Sequence, residues 1–128
     1  MRPKALLVED DAGVRAVLCR AFAKGGWDVH ASATPTAAIS ATAGQQFDVL
    51  VLDVMLPEMT GFQLASELAE LQSHAGVIFI SGYPIAHVAD TEWTEVLEKP
   101  FRTKELIERA DGLLRRRRAF EVQATDGR

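Results

Sequence analysis

Four short apolar runs divide the chain, and each stops abruptly at a polar residue. Ala5-Leu6-Leu7-Val8 ends at Glu9, Val49-Leu50-Val51-Leu52 at Asp53, Val77-Ile78-Phe79-Ile80 at Ser81, and the brief Val96-Leu97 near Lys99-Pro100. Unbroken runs of this length predict strands covered on both faces. Residues 27–31 alternate apolar and polar instead, as an edge strand does. Between the strands the period becomes helical. Val14, Val17, Leu18, Ala21 and Phe22 mark one face, and Gly25-Gly26 predicts its end. Thr34 before Pro35 predicts an N-cap and a first-turn proline, opening a short Ala-rich helix that Gly44 stops. A loop with Pro57 and Gly61 leads to a third helix carrying Phe62, Ala65, Leu68 and Ala69 on one face. Residues 84–94 have weak periodicity and predict a short, poorly defined helix. Thr103 is placed to cap a last helix whose stripe is Leu106, Ile107, Ala110, Leu113 and Leu114.

Five strands alternating with five helices predict an α/β fold, a doubly wound parallel sheet, because parallel crossovers need helices and cover both faces. The 128 residues fit one domain, large enough to bury a core without disulfides or metals. With 48% hydrophobic and 25% charged residues, global disorder is excluded. A formal charge of −4 argues against a general nucleic-acid binder. The single cysteine, Cys19, rules out an internal disulfide and falls at helical spacing, as a small buried hydrophobe. Glu9 cuts the first apolar run too soon for a signal peptide, and no run approaches the ~20 apolar residues of a membrane span. The expected location is the cytoplasm, without membrane contact. From Ala119 onward apolar periodicity is lost and fraying is expected. The arginines at 115–118 read as a solvated helix end that suits the helix dipole.

The residues that terminate the buried runs carry the chemistry, because ligands of open parallel sheets bind outside the carboxyl ends of the strands. Glu9, Asp10, Asp53, Ser81 and Lys99 all fall there. Any one of them is an ordinary strand end; the five together are chemically complementary. Clustered carboxylates repel unless a cation neutralises them, and an all-oxygen set without His or Cys suits a hard ion such as Mg²⁺. A hydroxyl and an ammonium suit an anion with several oxygens. Metal, anion clamp and carboxylate together describe a phosphoryl-transfer site with Asp53 as nucleophile.

Leu7-Val8-Glu9-Asp10-Asp11, DVLVLDVMLPEMTG at 48–61, IFISG at 78–82 and Glu98-Lys99-Pro100-Phe101 occur in order, each on its expected element. With them the chain resembles a response-regulator receiver domain of the two-component signalling family. The resemblance covers residues 4–116 and leaves 117–128 as a short basic and polar tail without an output domain. It implies a flavodoxin-like (βα)5 fold with strand order 2-1-3-4-5. It implies that Asp53 accepts the phosphoryl group, and that Glu9, Asp10, Asp53 and the backbone carbonyl of Met55 hold Mg²⁺. Ser81 would be the switch hydroxyl, Lys99 the lysine that pairs with the phosphate, and the bond before Pro100 a candidate cis peptide. The implied donor is a histidine kinase or a histidine phosphotransfer protein. From the resemblance alone, a homodimer through the fourth helix, fifth strand and fifth helix is a candidate assembly.

The pattern departs from the family at two places. Val96 stands where the family usually has Tyr or Phe, so a swinging ring is lost and Trp93 or Tyr83 become candidate levers. Gly82 stands where Ala is more common and loosens the entry after Ser81. Met55 and Tyr83 hold the two positions that govern water access in the family. Neither activates water, which predicts a long-lived phosphoryl group.

Other functions fit less well. A phosphatase of the haloacid-dehalogenase type needs Asp-x-Asp, and Met55 replaces the second carboxylate. No Gly-x-Gly-x-x-Gly or Gly-x4-Gly-Lys supports a nucleotide site. About a dozen residues beyond 116 are too few for a DNA-reading module. The expected output is therefore protein contact, and the chain is read as a switch rather than an enzyme.

Overall fold

The three longer apolar runs become the buried inner strands of the sheet, while the alternating stretch and the brief Val96-Leu97 run form its two edges. The structure, a computed structural model, describes residues 2–85 and 92–126. In chain order the elements are β1 Lys4–Val8, α1 Ala12–Lys24, β2 Asp28–Ser32, α2 Pro35–Ala41, β3 Val49–Asp53, α3 Gly61–Leu68, β4 Gly76–Ser81, β5 Thr94–Glu98 and α4 Thr103–Asp126. The strands are all parallel, in the order β2-β1-β3-β4-β5. The helix expected within 84–94 lies largely outside the described residues.

Alternation along the strands sorts the core into two layers. Ala5, Leu7, Val49, Val51, Ile78 and Ile80 point to one face and pack with Leu18 and Phe22 of α1 and with Leu106, Ala110 and Leu113 of α4. Leu6, Val8, Leu50, Leu52 and Phe79 point to the other and meet Ala38 of α2 and Leu64 and Leu68 of α3. β3 is buried at all five positions because it has a strand on each side and helices on each face. Cys19 is half-buried against the first layer.

The local signals are realised in detail at most boundaries. Gly25 caps α1 and Gly26 takes a φ of +91°, which an L side chain resists. The Thr34 hydroxyl accepts from the Ala37 N–H, and Pro35 fills the first turn of α2. Three expectations are corrected. In α3 the buried stripe is led by Leu64 and Leu68, with Phe62 and Ala65 on its flanks, and Ala69 is exposed because the helix ends at Leu68. In α4 the first hydrogen-bonded turn closes on the Arg102 carbonyl, so Thr103 is the first helical residue rather than the cap.

The third correction concerns the tail. α4 does not fray after 118 but runs to Asp126. The reason is Trp93, which precedes β5. Arg117 lies 4.3 Å over its ring and Phe120 meets it edge-on at 5.5 Å. Positions 117 and 120 continue the Leu106, Ala110, Leu113 stripe, with a guanidinium and a ring in place of aliphatic side chains. Among the described residues, no helix is long and apolar enough to cross a membrane.

Candidate functional site

The carboxyl ends of β1, β3, β4 and β5 form one rim. Glu9 and Asp10 follow β1, Asp53 is the last residue of β3, Ser81 the last of β4, and Lys99 follows β5. Carboxylate oxygens of Glu9, Asp10 and Asp53 lie within 4.8 Å of one another. Glu9 is 1% exposed and Asp53 5%, while Asp10 faces solvent. Lys99 reaches across from β5. Its Nζ donates to Asp53 Oδ2 at 3.1 Å and lies 3.4 Å from Glu9 Oε1.

Burial dominates the electrostatics of Glu9 and pushes its carboxyl up to about 7. The Asp11 N–H opposes the rise, Asp53 adds to it, and Lys99 offsets a part. For Lys99 the balance runs the other way. Burial lowers its pKa, but the hydrogen bond to Asp53 and the charges of Asp53 and Glu9 raise it above the usual lysine value. The pocket thus holds more negative charge than one ammonium compensates. Three clustered carboxylates with no nitrogen or sulfur ligand fit a small hard dication such as Mg²⁺.

Backbone geometry aims these groups. Asp11, the third acidic residue after β1, faces away from the cluster and caps α1 by accepting from the Val14 N–H at 2.9 Å. Arg15, one turn further on, donates to the Glu9 carbonyl at 2.9 Å and so ties the acidic loop to α1. The Met55 N–H donates to Asp53 Oδ1 at 2.9 Å. Gly61 lies against the carbonyl of Asp53, where a Cβ would collide with that oxygen. The Lys99–Pro100 peptide is cis.

Ser81 is fully buried, and its hydroxyl is turned into its own loop. Oγ donates to the Tyr83 carbonyl at 2.5 Å and accepts from the Tyr83 N–H at 3.1 Å. The Tyr83 hydroxyl lies 3.5 Å from Met55 Sδ, so these two exposed side chains meet across the rim. Val96 is half-buried in the layer of Phe79. Trp93 precedes β5, at the sheet end opposite the rim, and holds α4 rather than reaching the site. Sequence reasoning missed Arg15 and the capping role of Asp11. The spacing from Asp11 to Val14 was the available signal for that cap.

A sequence-family model described as the response regulator receiver domain matches residues 5–111. The chain belongs to this family. It is 30% identical to the response regulator receiver protein CpdR of Brucella abortus, over 87% of this chain and 96% of that protein. It is 32% identical to the receiver domain of the hybrid histidine kinase CckA, with a TM-score of 0.76, covering 87% of this chain and 98% of that one. A CheY-like receiver domain from Methanospirillum hungatei, 20% identical, superposes with a TM-score of 0.84 over 93% of this chain and 98% of that one. The chain spans about half the length of several transcriptional regulators that it also matches. Receiver domains are the signalling domains of two-component systems and bind Mg²⁺ at an acidic site. The cluster of Glu9, Asp10 and Asp53 is the matching feature here.

Proposed function

We propose that this receiver domain is a phosphorylation switch in which Asp53 accepts a phosphoryl group from the phosphohistidine of a kinase or phosphotransfer protein. The observation that carries the reading is the convergence of Glu9, Asp10, Asp53 and Lys99 at one rim, with Asp53 at the end of the central strand. Asp53 Oδ2 or Oδ1 attacks phosphorus as the bond to the donor imidazole nitrogen breaks. The imidazole leaves with the electron pair and remains on the donor. Glu9, Asp10, Asp53 and the Met55 carbonyl would hold Mg²⁺, which when bound neutralises charge on the transferring oxygens. Lys99, already on Asp53, moves its ammonium to a phosphoryl oxygen. The Ser81 hydroxyl leaves the Tyr83 carbonyl and donates to another. That exchange converts a covalent change into a shift of the loop after β4, and the two conformations differ in the partners they bind.

No external substrate is turned over in this scheme. The dehalogenase-type phosphatase gains no support, since an exposed Met55 sits two residues after Asp53, where that chemistry needs an acid and base. The test is label transfer. With Mg²⁺ and a phosphorylated histidine kinase or a small phosphodonor, wild type takes up label and Asp53→Ala takes up none. Absence of labelling of the wild type by every donor overturns the reading.

A further inference from the structure

The loop that leaves Asp53 is held by a contact outside the rim. Between β3 and α3, residues 54–60 fold back so that the Gly61 N–H donates to the Val54 carbonyl at 2.9 Å. Leu56 and Met59 pack inward on the layer of Leu52 and Leu64. Between them the Met59 N–H donates to the Pro57 carbonyl at 2.7 Å, with Glu58 at the centre and a φ of +71°. This is a γ-turn of the rare positive-φ kind, and Glu58 is the only non-glycine with positive φ among the described residues. Left-handed backbone at such a residue costs about 1–2 kcal/mol and persists only where the surroundings enforce it.

The Glu58 side chain is exposed and adds no packing of its own to the turn that Leu56 and Met59 flank. What it adds is hydrogen bonds. Oε1 accepts from the Thr36 hydroxyl at 2.8 Å and from the Thr36 N–H at 3.1 Å, in the first turn of α2. α2 contributes no residue to the rim. It nevertheless grips the loop three residues beyond Met55, whose backbone is bonded to Asp53.

We infer that Glu58 is a positioning residue of the rim: its carboxylate ties the loop to α2 and thereby fixes the Met55 backbone beside Asp53 for the cation. The inference rests on the function proposed above. It explains why a strained, charged residue occupies a turn that glycine would adopt without strain. Glycine would supply the conformation and lose the tie.

The experiment titrates Mg²⁺ into wild type, Glu58→Ala, Glu58→Gly and Glu58→Gln and follows the Met55 and Asp53 amide resonances, with thermal midpoints measured alongside. Losing the tie is expected to raise the Mg²⁺ dissociation constant about tenfold in both Glu58→Ala and Glu58→Gly, as loss of an outer-shell partner does. Glu58→Gln keeps an acceptor oxygen and is expected to stay within about threefold of wild type on the same scale. Glu58→Gly, freed of left-handed strain, is expected to melt no lower than Glu58→Ala. Affinities of Ala and Gly variants within about twofold of wild type overturn the inference. So does a dissociation constant that merely follows the melting midpoint, with Gly restoring both. A wild type that neither binds Mg²⁺ nor takes label sinks the proposed function itself, which the Glu58 variants alone cannot do.

Discussion

Glu9 is the residue at which burial and charge meet most closely, and one of the carboxylates that the proposed cation would need ionised. With its folded pKa at about 7 and an ordinary value of 4.5, the native state holds its proton across that interval more firmly than the unfolded chain does. Native proton binding then exceeds unfolded binding, so stability falls as pH rises. Without metal, the contribution is complete below pH 4.5 and is lost as pH passes 7, with an amplitude on the order of 3 kcal/mol. Denaturant titrations in chelator from pH 5 to 8 should show this decline, and Glu9→Gln should flatten it. Saturating Mg²⁺ should also oppose it, since the cation needs the ionised carboxylate. Across the rim, Met55 and Tyr83 meet, and neither side chain activates water. Phosphorylated protein is expected to keep its label for minutes, and Met55→Asn to shorten that time several-fold, as read by label decay after donor removal. The five rim residues were legible in the sequence because Glu9, Asp53 and Ser81 each end an apolar run and Asp10 and Lys99 lie one or two positions past such an end. Glu58 was not, because its part depends on a backbone angle and on where α2 comes to rest.

At the level of elements, two boundaries carry most of the information. Thr60 and Gln63 form a reciprocal capping box at the start of α3, immediately before Gly61 meets the Asp53 carbonyl. The cap and the glycine together set where the returning loop closes. Gly61→Ala forces a methyl group onto backbone that cannot yield, and should destabilise the protein by about 2–4 kcal/mol, seen as a lower urea midpoint. α4 shows the opposite situation, an element longer than its apolar stripe. Its 24 residues span roughly 36 Å, nearly twice a six-residue strand. Phe120→Ala should remove about 1 kcal/mol and reduce helical ellipticity by unravelling the end beyond Leu114. The sequence announced the start and the stripe of this helix through its aliphatic period. The remainder was hidden because Arg117 and Phe120 do their packing on Trp93, a residue that no local pattern assigns to α4.

At the level of the whole molecule, the order β2-β1-β3-β4-β5 assembles the rim without any long-range sequence signal beyond the runs themselves. Parallel strands put every carboxyl end on one side, and placing β1 and β4 beside β3 brings their termini to Asp53. What the pattern could not convey was the state of the charges once assembled. Glu95, half-buried in β5, accepts from Arg109 and Arg116 of α4, each at 2.8 Å. Burial raises its pKa, but the two guanidiniums outweigh that and hold it below the ordinary value. The face of β5 and α4 therefore has its principal charges paired within the chain.

Lys99 does the same service for the rim, and its consequence reaches beyond the site. A dication entering among Glu9, Asp10 and Asp53 does not fill a bare anionic hole. It would share Asp53 with the Lys99 ammonium and, near neutral pH, displace a proton from Glu9. Binding would thus be offset by the proton that leaves Glu9 and by the positive charge already resting on Asp53. With Lys99 already serving as counterion, the proposed metal is expected to matter more for the chemistry than for the stability of the fold. Chelation is expected to abolish labelling while moving the melting temperature at pH 7 by less than about 3 °C, a shift of under about 1 kcal/mol for a domain of this size. Differential scanning calorimetry with and without chelator reads that number. A large fall on chelation would mean that Lys99 is a poorer counterion than its 3.1 Å contact indicates.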